Sequence, residues 1–100
     1  MKVTVDLKHD GRDKDHRRIA MATRKFLLNK LNVRTFICTK EEADYIRRIR
    51  DDSLKRIRET RSGTMADFCE NVLCADDKYF GVEIKVSKDA KDSKLTLLSK

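Results

Sequence analysis

VRTFICTKEE, residues 33–42, changes its period within ten residues, and its reading decides the fold. The first seven, Val33 to Thr39, are rich in β-branched and aromatic residues and read as a short, central strand. Thr39 then opens Thr-Lys-Glu-Glu, a capping box with Glu42 at the third helical position. A buried strand that feeds straight into a capped helix is the hallmark of a layered α/β or α+β arrangement.

Outward from this junction the same two periods recur. Upstream, KVTVDLK (2–8) alternates strictly, with Val3, Val5 and Leu7 on one side and Lys2, Thr4, Asp6 and Lys8 on the other, as in a half-buried strand. The polar loop HDGRDKD follows. Residues 14–31 then place Ile19, Ala22, Thr23, Phe26, Leu27 and Lys30 on one side at helical spacing. About twenty residues separate the first two strands, long enough for a crossover between a parallel pair. Downstream, the helix opened at Thr39 runs to about Ser62, with Gly63 placed to end it. Thr64 begins a second cap, and a shorter helix turns Met65, Phe68, Cys69, Val72 and Leu73 inward. YFGVEIKVS (79–87) alternates, so Phe80, Val82, Ile84 and Val86 share a face; KDAKDS turns the chain, and KLTLLSK (94–100) closes it. The short polar turn predicts an antiparallel hairpin of the last two strands. The expected fold is one domain, residues 1–100, with a single mixed four-stranded sheet in the order strand-helix-strand-helix-helix-strand-strand. Its helices pack mainly on one face and leave the other solvated.

Composition narrows the function. The 100 residues are 39% hydrophobic and 41% charged, with a net charge of +7 and a pI near 9.5. Such an excess of cations on so small a domain favours a polyanionic partner. No apolar run approaches the roughly 18 residues of a membrane span. The alternating N-terminus lacks the apolar centre of a signal peptide. Three cysteines without a CxxC suit reduced thiols, so a cytoplasmic protein is expected.

The candidate site lies in YIRRIRDDSLKRIRETR, residues 45–61. On a helix, Ala43, Ile46, Ile49, Ser53, Ile57 and Thr60 form an inward stripe with Leu54 at its edge. Arg48, Asp52, Lys55, Arg56 and Glu59 alternate in sign at spacings of three or four, as on a self-neutralised solvent face. Arg47, Arg50, Arg58 and Arg61 fall along the other flank. Arg47 reaches Asp44 or Asp51, whereas Arg50, Arg58 and Arg61 have no acid three or four positions away. Arg50 to Arg61 spans roughly 16 Å of axis, enough to meet several phosphates, and guanidinium binds phosphate oxygens in pairs. The competing role for these four is structural: snorkelling over the core or pairing with Asp67, Asp76, Asp77 or Glu83. Tyr45 and Tyr79 are the aromatics expected near the surface, where they would stack on bases.

Catalytic signals are thin. HDGRDKDH (9–16) gathers His9, His16, Asp10, Asp13 and Asp15 beyond a strand, with Asp6 close by, but at spacings that fit neither a calcium loop nor a zinc pattern. Interleaved Arg12, Lys14, Arg17 and Arg18 would neutralise the acids. Cys38, Cys69 and Cys74 read as buried apolar side chains. Neither a cofactor, a metal nor a catalytic residue is expected. The sequence therefore points to a regulatory protein that binds nucleic acid, RNA ahead of DNA, through Arg47, Arg50, Arg58 and Arg61. The alternative is a non-catalytic adaptor or inhibitor on an acidic protein partner, or on that partner's nucleic-acid site. A small metal-dependent nuclease ranks behind both. Met21 and Leu28, apolar on the outer side of the first helix, predict a homodimer.

Overall fold

A computed structural model describes residues 1–99. β1 (Lys2–Asp6) leads into α1 (Arg12–Leu28), β2 (Thr35–Cys38) and α2 (Lys40–Thr60). α3 (Gly63–Phe68) continues as a π-helical turn (Cys69–Leu73) and a 3-10 turn (Ala75–Asp77); β3 (Lys78–Tyr79), β4 (Val82–Val86) and β5 (Lys94–Leu98) follow. The mixed α/β architecture agrees with expectation. The closing strand ends at Leu98, and Lys100, to which it was expected to extend, lies outside the described residues.

The sheet has five strands, not four, in the order β1-β5-β2-β4-β3. Two pairings differ from expectation. β1 and β2 are not neighbours, because β5 lies between them and is antiparallel to both. β4 pairs parallel with β2, so β4 and β5 flank β2 and form no hairpin. Residues 87–93 cross the end of β2 instead of turning back on β4. The physical reason is burial. Leu95 and Leu97 are the inward pair of β5 and are fully enclosed between β1 and β2.

The extra strand arises because 79–87 is broken at Phe80 and Gly81. Tyr79 pairs with Val82 across this two-residue link. Phe80 has φ 45° and Gly81 has φ 91°. Positive φ at both positions is what a tight hairpin turn of the right twist requires.

The core lies between one face of the sheet and the two long helices. Val5, Phe36, Cys38, Leu95 and Leu97 meet Ile19, Ala22 and Phe26 of α1 and Ala43, Ile46 and Ile49 of α2. Thr39 caps α2 as expected, accepting from the Glu42 N–H at 3.3 Å. The cap of α3 is Ser62 and not Thr64: its hydroxyl accepts from the Met65 N–H at 3.2 Å. Gly63 accordingly begins α3. Ala66 and Cys69 are buried, whereas Met65, Phe68 and Val72, expected inward, are at least half exposed.

Candidate functional site

Asp15 anchors the loop after β1. It is fully buried and accepts from the backbone N–H groups of Lys8 (3.2 Å) and His9 (3.0 Å), from Arg18 Nη1 (2.5 Å) and from the Tyr45 hydroxyl. Burial pushes its pKa up, but the Tyr45 and Arg18 hydrogen bonds outweigh it and leave the carboxyl below its ordinary value. Arg18 also grips Asp10 with both terminal nitrogens, at 2.7 and 2.8 Å. That hydrogen bond holds Asp10 down to about 2. His9 stacks on Tyr45 with ring centroids 3.8 Å apart, and its Nε2 lies 2.8 Å from Glu42. The Asp/His loop is thus a junction joining β1, α1 and α2. Its carboxylates are taken up by arginine, tyrosine and backbone donors. Among the described residues no group of three or more His, Cys, Asp or Glu is placed to hold a metal ion.

The arginines of α2 divide differently from their spacing. Arg47 Nε donates to Asp77 at 2.9 Å and Arg47 Nη1 to Asp44 at 3.0 Å. Arg50 donates to Asp77 (2.8 Å) and Asp51 (3.0 Å), and its side chain is only 13% exposed. Arg58 pairs with Asp67 at 3.3 Å and with Glu70. Three of the four thus clamp α2 to the α3–β3 segment. Arg61 alone of the four has no ion pair among the described residues. On the opposite flank, none of the expected pairs Arg48–Asp52, Asp52–Arg56 and Lys55–Glu59 closes among the described residues. Arg56 leans instead towards Asp13 of α1, at 3.6 Å, and Arg48 lies over the Tyr45 ring.

Arg61 and Arg56 therefore face a cleft. Together with Arg12 they line a space of about 480 Å³ between the start of α1 and the end of α2, with Ser53, Ile57 and Phe80 also lining it. Asp13 is the one carboxylate in that lining. Arg12 donates to Asp13 at 3.1 Å and to the Asp52 carbonyl at 3.3 Å, which holds it at the rim. The cleft thus carries three guanidinium groups against one carboxylate.

The aromatics also redistribute. Tyr79 is buried, with its hydroxyl 2.5 Å from His16 Nδ1, and Tyr45 is occupied by His9 and Asp15. Neither is free to take a base. Phe80, at the turn between β3 and β4, is partly exposed while it packs against the core; Phe68 is half exposed. Strand alternation had put Phe80 on one face with Val82, Ile84 and Val86. The signal that marks it is Gly81, since a lone glycine within a strand pattern announces a bulge or turn. Arg12 and Arg56 were overlooked because the cleft that unites them is tertiary: 44 positions separate them in the chain.

No known protein family, curated protein or solved structure matches this chain. Among the described residues no helix is long and apolar enough to cross a membrane.

Proposed function

We propose that this chain is a small, non-catalytic regulatory protein that binds nucleic acid, RNA ahead of DNA, by its phosphates. The observation that supports this most is the cleft where Arg12, Arg56 and Arg61 converge opposite one carboxylate. Guanidinium forks bind phosphate oxygens in pairs, and a partly enclosed cleft strengthens that attraction. Of the flank Arg47, Arg50, Arg58 and Arg61, the phosphate role is assigned to Arg61, and the other three position the helix that carries it. The free Cys38, Cys69 and Cys74 suit a reducing, cytoplasmic setting. A second copy of the chain is the proposed cover for Met21 and Leu28, which are 63% and 79% exposed. Light scattering at monomer mass across micromolar concentrations would remove that part.

The binding test compares two double substitutions that remove equal charge. Arg56→Gln with Arg61→Gln should weaken binding to RNA of any sequence and lower the log–log salt slope by roughly 0.7–0.9 per lost contact. Arg48→Gln with Lys55→Gln, outside the cleft, should change it less. Equal losses would leave only a diffuse basic field. No binding at low salt would remove the reading and favour an adaptor or inhibitor of an acidic protein partner.

A further inference from the structure

The cationic cleft does not end at its guanidinium groups. A second, largely apolar groove of about 320 Å³ adjoins it between α1 and the β3–β4 turn, lined by Ala20, Leu27, Tyr79 and Val82 among others. His16 and Phe80 line both spaces. An anion-binding wall thus continues into an apolar, aromatic one, with Phe80 at the border.

The backbone of Phe80 carries the second observation. Its φ of 45° puts a bulky aromatic residue in the left-handed region, at a turn position that asparagine or glycine fills without strain. Strain of this kind persists where the surrounding structure holds it, and it clusters at ligand sites. The ring meets His16 edge-on at 6.3 Å and Tyr79 at 5.1 Å, so its place is set by neighbours on both walls.

Building on the phosphate-binding reading, we infer that the two spaces form one site for a nucleotide unit of single-stranded nucleic acid. The phosphate sits among Arg12, Arg56 and Arg61, and the unpaired base enters the apolar groove against Phe80. A paired base within a duplex cannot enter, because its faces are already stacked. The site therefore selects single strands by shape and stacking, without reading sequence.

The test measures fluorescence anisotropy at low salt with labelled oligouridylate, oligothymidylate and an RNA duplex of equal length. Wild type should bind the single strands more tightly than the duplex. Phe80→Asn should weaken single-strand binding on the order of tenfold, leaving duplex binding nearly unchanged. Asn-Gly suits this turn and offsets part of the packing lost with the ring, so a melting curve accompanies each variant and binding is compared where both are folded. Phe80→Tyr should retain the preference. Arg56→Gln with Arg61→Gln should weaken binding of both single strand and duplex. Equal binding of single strand and duplex by wild type, or a folded Phe80→Asn variant that keeps the preference, would overturn the base site while leaving phosphate binding intact. Absence of binding to all three probes would overturn both.

Discussion

Asp15 holds a negative charge where no water reaches it, and four donors converge on its two oxygens. Desolvating a carboxylate is costly, and only a complete set of hydrogen bonds makes it tolerable. Asp15→Asn removes the charge and turns one acceptor into a donor that faces other donors. We expect a loss of about 3–5 kcal/mol, a large share of the roughly 5–15 kcal/mol a domain of this kind possesses. Urea denaturation of the variant checks this, and a loss under about 1 kcal/mol would contradict the junction role. The sequence hinted at this residue only through its company. Aspartates clustered before a helix suggest caps or a metal, and nothing in the spacing says that Arg18 and Tyr45 will reach the same carboxylate. Tyr45 comes from another element, thirty positions away.

At the scale of elements, α2 is the part most legible in the sequence. Thr39 caps it, and Ala43, Ile46 and Ile49 bury the first half of the expected stripe; Ser53 and Ile57 are only partly buried and Thr60 is exposed. What escaped was the use of its arginine flank. Helical spacing lists the acids on the same helix, but Asp77 and Glu70 arrive from the segment that folds back along it. Asp77 stands in a left-handed conformation, φ 60°, which an aspartate accepts more readily than most residues. From there it receives both Arg47 and Arg50. We expect Asp77→Ala to lower stability by about 1 kcal/mol and to raise amide exchange over residues 74–79. Arg48→Gln, whose cation lies over the Tyr45 ring and in no ion pair among the described residues, should do neither. The strands show the complementary limit. Alternation told that Val3, Val5 and Leu7 share one side and that Val82, Ile84 and Val86 share another, although Val86 is exposed; it did not tell which strands would be neighbours. Val3, Val5, Leu95 and Leu97 satisfy the same inner face in several orders, and the insertion of β5 beside β2 is decided by how completely Leu95 and Leu97 are enclosed.

Across the whole molecule, several paired carboxylates set the response to acid. The Lys94 hydrogen bond lowers Asp6, the Arg18 hydrogen bond lowers Asp10 to about 2, and the Arg50 hydrogen bond lowers Asp77. Asp15 is lowered as well, against its own burial. A carboxyl with a depressed folded pKa takes up its proton more readily when unfolded, so it stabilises the fold above the ordinary carboxylate value and ceases to do so as pH falls through its folded pKa. The window opens at about pH 4, the ordinary value, and extends below it for each of these groups, for Asp10 down to about 2. Acid also removes the counter-charge for all 24 lysines and arginines, which then repel one another. The urea midpoint should therefore stay level from neutral pH to about 5 and drop steeply between about 4 and 2. Added salt should soften the drop by screening the repulsion, since the Debye length shrinks to about 10 Å at 0.1 M. Asp10→Asn, with no proton left to take up at that site, should show a shallower acid limb than wild type. A midpoint that stays level down to pH 2 would mean that these ion pairs contribute nothing to the fold.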